Sequence, residues 1–255
     1  MTFRKGPSRA KAFLLPWVPL IGVTALSEFL VGSGVIPKYL LPAPSQVIAV
    51  FREDSKTFFS AFLETATSSG FGLLLSMSLG LLLAILLSFS KWIRLMFYPY
   101  AIFFQTVPII AIAPLLVIWL GYGSPTVVAS SFIVSVFPVI ANSVSGLLST
   151  ESIWLDLFKL MNATRAQVVF KLRIRAALPQ ILAGFRIAAG LAVIGAIVGE
   201  FIAGSGLGGL VDTARNQQRV DRVFAAVLLA AGLGILFFAG ISAMTRLLIS
   251  YRKES

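Results

Sequence analysis

The sequence predicts an all-α integral membrane protein with six transmembrane helices, and three observations carry that reading. Of 255 residues, 58% are hydrophobic and only 12% are charged, against about 25% charged in soluble domains. Mean hydropathy is +0.93. Uncharged stretches run from Thr65 to Phe89 and from Leu95 to Thr150. About 20 apolar residues cross a bilayer, so the second stretch holds two crossings. Backbone groups in lipid must bond internally and no alternating strand pattern is present, so the crossings are helices.

The spans are expected at 12–32, 62–89, 95–120, 126–148, 180–203 and 223–249. A basic tail, residues 1–11, precedes the first. It resembles the start of a signal peptide, but apolar character persists from Ala12 to Val31, longer than a cleavable core. A retained span is expected, opening a single transmembrane domain over 12–255. Ser90-Lys91-Trp92-Ile93-Arg94 separates spans two and three as a basic turn. Gly121-Tyr122-Gly123-Ser124-Pro125 separates three and four with residues that disfavour helix continuation. Pro108, Pro114 and Pro138 are expected to interrupt spans three and four, and such breaks lie against protein or a cavity. Gly184, Ala188, Gly190, Gly195 and Gly199 permit close helix contact in span five. Both sets fit ordinary bundle packing or a translocation path lined by spans three to five.

Charge sets the orientation. The chain has 21 Lys and Arg against 10 Asp and Glu. In a membrane protein that excess reflects the cytoplasmic bias of basic residues rather than nucleic-acid binding. The N-terminal tail, the 90–94 turn, the 149–180 loop and the C-terminal end carry four, two, five and three basic residues. The alternate segments carry only Lys38, Arg52 and Lys56, then none, then Arg215, Arg219 and Arg222. Both termini and the 149–180 loop are therefore expected in the cytoplasm.

The 149–180 loop is patterned. Ile153, Leu157, Leu160 and Met161 recur at helical spacing, with Trp154 and Phe158 on a neighbouring face. Asn162 suits a left-handed helix terminus. Thr164-Arg165-Ala166-Gln167 reads as a capping box opening a second helix, with Pro179 expected at its far boundary. Such a hairpin lies on a membrane surface or docks into a partner's groove, and physics alone leaves both open.

Some chemistry is excluded. With neither Cys nor His, no disulfide or thiolate metal site forms and the commonest general base is missing. No G-x-x-x-x-G-K-[ST] loop is present, so any ATPase is a separate subunit. Glu28, Arg186 and Glu200 are the notable ionisable residues inside or near the membrane. Arg186 is expected to snorkel or pair, Glu28 to serve locally, and Glu200 to line an outer gate or make a local hydrogen bond.

The segment Met161-Asn162-Ala163-Thr164-Arg165-Ala166-Gln167, continued by Ala176-Ala177-Leu178-Pro179 and Gly184-Phe185-Arg186, resembles the signature loop of ABC-importer permeases. The nitrate/sulfonate/taurine branch is the most similar. That loop begins E-A-A-x-x-x-G and later reads L-P-A-A-L-P. Here Asp156, Leu157 and Phe158 stand for E-A-A, Asn162 for the Gly, and Ile174-Arg175 for the first L-P. Leu41-Pro42-Ala43-Pro44, Gln105-Thr106-Val107-Pro108, Trp119-Leu120-Gly121 and Gly199-Glu200-Phe201 resemble further family segments, in order, over about residues 35–250.

The resemblance implies a type I ABC-importer permease (MetI-like) fold and a multi-pass protein of the bacterial cytoplasmic (inner) membrane. It implies a second permease copy, an ABC ATPase dimer and an extracytoplasmic substrate-binding protein as partners, besides membrane lipid. ATP and Mg belong to the ATPase, with no cofactor or metal in this chain. The coupling residues it implies are Asp156, Leu157, Phe158, Lys159, Met161, Asn162, Ala163, Thr164, Arg165 and Gln167. Gln105, Thr106, Pro108, Asn142 and Glu200 are the candidates for the translocation pathway. The cargo it implies is a small polar solute: nitrate, a sulfonate such as taurine, or a vitamin precursor. The chain itself is expected to be non-catalytic. The alternative, a self-sufficient secondary transporter or channel, predicts internal repeats and coupling carboxylates, and the sequence offers no convincing repeat and few acids.

Overall fold

The computed structural model describes Leu15 and residues 17–250. The basic tail over 1–11, the start of the expected first span, and Arg252 and Lys253 lie outside the described residues. All regular elements among the described residues are helical: α1 Trp17–Gly32, α2 Pro44–Glu53, α3 Ser55–Phe89, α4 Lys91–Thr106 and α5 Ile109–Leu120, then α6 Ser124–Leu148, α7 Ser152–Leu160, α8 Arg165–Ala203, α9 Gly206–Asn216 and α10 Val220–Ser250.

Four of these, α3, α6, α8 and α10, are long and apolar enough to cross a membrane. The expected third span is instead two helices. Val107 and Pro108 adopt extended backbone between α4 and α5, where Pro108 caps the second piece. Pro114 and Pro138, also expected to interrupt, lie inside α5 and α6. One missing hydrogen bond does not end a helix that packing holds on both sides, and the Pro138 carbonyl sits against Gly184. Pro179 is likewise not a boundary. The chain stays helical from Arg165 to Ala203, through a π-turn over Val168–Arg173. Buried Ala177, Ile181 and Leu182 hold the segment around Pro179 in the core. Two amphipathic helices, α2 and α9, fill segments read from sequence as connections.

Helix α6 is the centre, packed most extensively on α8 and α3. Small residues make this approach possible. A Cβ on Gly195 would stand 2.8 Å from the Ser130 carbonyl oxygen, and one on Gly199 2.9 Å from the Ser130 Cβ. Gly184 meets α6 in the same way, whereas Gly190 has nothing within 4 Å and does not serve as a contact. Buried hydroxyls then bond across the helices. Ser130 Oγ donates to the Gly195 carbonyl at 2.8 Å, and Ser76 and Ser135 share a 2.6 Å bond. Each such bond contributes about 0.6 kcal/mol in a membrane bundle. The outside is apolar: Phe71, Leu74 and Ile235 are each at least 60% exposed, as lipid contact requires.

The bundle has two poles. At one, the 88–94 turn shares a cleft with α7 and the start of α8, and Arg173 Nη1 donates to the Ser88 carbonyl at 3.1 Å. At the other, α2 and the starts of α3 and α10 pack through Val47, Val50, Phe58, Ala225 and Ala226, with an Arg222–Asp54 ion pair beside them. Of the segments grouped by charge, the 90–94 turn and the start of the 149–180 loop meet at one pole, and Lys38 and Arg219 meet at the other.

Candidate functional site

The basic pole carries the candidate site. Helix α7 buries none of its residues. Leu155 and Phe158 turn partly inward, while Trp154 (50% exposed), Leu157 (44%), Leu160 (82%) and Met161 (70%) face away from the bundle. Trp154 and Phe158, four residues apart, share one side of the helix as the sequence put them, with Phe158 nearer the bundle and less exposed. Asp156 and Lys159 form an exposed 3.0 Å pair, worth a few tenths of a kcal/mol.

The end of α7 is built as its residues require. Asn162 is left-handed at φ 54°. The Ala163 N–H donates to the Phe158 carbonyl at 3.0 Å and the Asn162 N–H to the Lys159 carbonyl at 2.9 Å. This pair of bonds is the Schellman closure, which satisfies carbonyls that a helix end leaves open. One residue later the capping box forms. The Gln167 N–H donates to Thr164 Oγ1 at 3.3 Å, and the Thr164 N–H to Gln167 Oε1 at 2.8 Å. A rigid corner therefore joins α7 to α8, and α8 runs unbroken through the bundle to the opposite pole.

The pathway candidates do not form one cluster. Gln105, Thr106 and Pro108 are together and exposed at the α4–α5 break. Asn142 is half-buried, donating to the Pro138 carbonyl at 2.9 Å and lying beside Gly184. Glu200 is 16 residues beyond Gly184 on α8, about 24 Å along the axis at 1.5 Å per residue. It is fully buried. Its Oε2 accepts from Thr65 Oγ1 at 2.9 Å and from the Gly208 N–H at 3.0 Å. The Leu207 N–H donates to Thr65 Oγ1 at 2.9 Å, and the Gly206 N–H to Glu64 at 3.2 Å. The open N–H groups at the start of α9 are thus held by α3 and α8. Sequence reasoning missed Glu64 and Thr65; the available signal was Glu64, the single charged residue in the expected span 62–89. Of the other membrane ions, Glu28 accepts from both the Ser45 hydroxyl (2.6 Å) and N–H (3.0 Å), capping α2. Arg186 Nε reaches the Leu182 carbonyl at 3.4 Å.

Comparison with known proteins decides the family. Residues 76–249 match the model of the binding-protein-dependent transport system inner membrane component. The chain belongs to that family. It is a permease subunit of an ATP-binding-cassette importer, a multi-pass component of the bacterial inner membrane, and the family's name itself implies a binding protein as partner. A probable ABC transporter permease of Haemophilus influenzae is 36% identical over 91% of this chain and 95% of its own length. A formylaminopyrimidine transport permease of Halalkalibacterium halodurans is 38% identical, covering 85% and 87%. A putative aliphatic sulfonates transport permease of Bacillus subtilis is 29% identical, covering 98% and 92%. In fold, the permease is similar to a chain of a bacterial ABC transporter involved in alginate import. The TM-score is 0.61 at 17% identity, over 93% of this chain and 96% of that one.

Proposed function

We propose that this permease crosses the membrane six times, through α1, α3, the broken α4–α5 pair, α6, α8 and α10, with both termini in the cytoplasm. Residues 12–255 form its single transmembrane domain. Two copies enclose the pathway, and each receives one cytoplasmic ATPase on α7 and the Asn162–Gln167 corner. ATP and Mg are bound by that partner, and this chain contributes no catalysis and no cofactor site. A substrate-binding protein delivers cargo to the opposite pole.

The observation that carries this reading is the exposed apolar face of α7, held outside the bundle by a rigid corner at the basic pole. An apolar helical face in water is stabilised by a partner's groove. Nucleotide-driven movement of that groove shifts the bundle between two openings only if the ATPase binds them with different affinity. Charge reversal Asp156→Lys combined with Asn162→Pro is expected to abolish co-purification of the ATPase while membrane insertion stays intact. Normal yield of the complex from the double mutant overturns the docking model.

The cargo is a small polar solute. Gln105, Thr106 and Pro108 line its route at the α4–α5 break, with Asn142 and Glu200 acting deeper in the bundle. No charged residue occurs between Leu95 and Thr150, so the polar groups offered at the break are neutral. That favours a hydrogen-bonding solute of the kind named for the formylaminopyrimidine permease over an anion such as nitrate or the sulfonates named for the Bacillus relative. Calorimetry on the cognate binding protein with an aminopyrimidine and with taurine decides between them: heat with taurine alone reverses the assignment.

A further inference from the structure

Two adjoining hollows share the walls α3, α4 and α6. The first, about 660 Å³, opens at the basic pole, and Lys91, Arg94, Lys159, Arg165 and Arg173 line it with no acid among the lining residues. Among the described residues, only Lys159 of these five forms an ion pair, and the Arg173 Nε is buried without a hydrogen-bond partner. Five cations gathered around one cleft repel each other unless an anion sits between them.

The second hollow, about 550 Å³, lies on neighbouring residues of the same helices. Leu86 and Leu87 adjoin Ser88 and Phe89 of the first, Ile93 stands between Lys91 and Arg94, and Phe97, Tyr100 and Ala101 carry it along α4. Its walls are apolar almost throughout, and it ends at Gln105. From Arg94 to Gln105 is eleven residues of helix, about 16 Å. Half of a hydrocarbon core of about 30 Å is about 15 Å.

We propose that these hollows together hold one anionic phospholipid. Its phosphate lies among Lys91, Arg94 and Arg173, and an acyl chain lies in the groove between α4 and α6. A free phosphate accounts for the cleft but not for an apolar groove of about one-leaflet length beside it. Basic pockets between membrane helices on the cytoplasmic side suit anionic headgroups for this reason. The site rests on the proposed orientation only for which leaflet supplies the lipid. Because the headgroup contacts Arg173, within the π-turn, and the Ser88–Lys91 turn, it fastens the coupling corner to α3 and α4.

The test is native mass spectrometry of the whole permease–ATPase complex in detergent, offered phosphatidylglycerol, phosphatidylcholine or inorganic phosphate. Phosphatidylglycerol is expected to be retained over phosphatidylcholine and not displaced by inorganic phosphate. Lys91→Gln with Arg94→Gln is expected to weaken retention about 30-fold, from roughly fivefold per basic residue near a lipid surface. Ala101→Phe fills the groove without touching a charge, and it is expected to lower phosphatidylglycerol retention while ATPase co-purification is unchanged. If the double variant does not fold, Ala101→Phe alone decides. Equal retention of both lipids overturns the proposal, as does wild-type retention by either variant. Displacement by inorganic phosphate would show a phosphate site without a lipid. A disulfide between two copies carrying Ala101→Cys would show that the second permease copy covers the groove, and this too overturns it.

Discussion

Thr65 Oγ1 lies 2.9 Å from Glu200 Oε2, and both side chains are fully buried. The contact joins α3 to α8 and, through the Leu207 and Gly208 N–H groups, fixes the start of α9. Gly206 is part of the same lock. It is left-handed at φ 56°, and a Cβ there would collide with the Glu200 carboxylate.

Glu200→Ala removes the acceptor of two buried donors and is expected to cost about 1–3 kcal/mol. Glu200→Gln retains a carbonyl oxygen and is expected to cost less. Thermal unfolding of the purified complex ranks the two. An alanine variant as stable as the glutamine variant would show that the lock contributes nothing.

The glycines of α8 are expected to differ sharply. Gly195→Ala places a methyl 2.8 Å from the Ser130 carbonyl oxygen and should destabilise by about 1–3 kcal/mol through overpacking. Gly190→Ala meets no atom within 4 Å and should be neutral or slightly stabilising. Melting temperatures of the two variants in detergent provide the check, and equal shifts would contradict the packing described.

At the corner between α7 and α8, Asn162→Gly should be tolerated, because glycine adopts the left-handed conformation without strain. Asn162→Val should cost about 1–2 kcal/mol locally, and Thr164→Ala about 1 kcal/mol from the lost cap. Hydrogen exchange of the amides over 160–168 reads these effects. Unchanged protection in the valine variant would mean the turn is not held as described.

At the opposite pole the Asp54 carboxyl is held below its ordinary value of 3.8, first by the Thr57 hydroxyl at 2.6 Å and also by Arg222. A carboxylate whose folded pKa is depressed stabilises the fold above its unfolded pKa, and that contribution is lost as pH falls through the folded value. Stability of the wild type should therefore fall below about pH 4 more steeply than that of Asp54→Asn. Parallel pH profiles would show that the Asp54 contacts do not act in solution.

Much of the local structure was legible in the residues. Asn162 and the Thr164–Gln167 box specify their turn by chemistry confined to a few neighbours, so the corner was readable without knowing what surrounds it. Pro179 was misread for the opposite reason. Its effect on a helix depends on whether packing outweighs one lost hydrogen bond, and Ala177, Ile181 and Leu182 settle that from elsewhere in the chain. The candidate site divides the same way: the helical spacing of α7 was plain, but that Leu155 and Phe158 turn toward the bundle while Leu157 and Leu160 stay exposed depends on what the helix rests against.

The sequence alone determined that this chain lies in a membrane, that the 90–94 turn and the 149–180 loop share a pole, and where the turn after α7 falls. Those properties follow from hydropathy, charge and short-range hydrogen bonding, which act within one segment. Only the tertiary structure decided that Glu200 is tied to Thr65 and Gly208, that Gly195 rather than Gly190 is a contact, and that five cations converge on a single cleft. Those are relations between segments distant in the chain, and no local pattern encodes a partner that folding alone brings near.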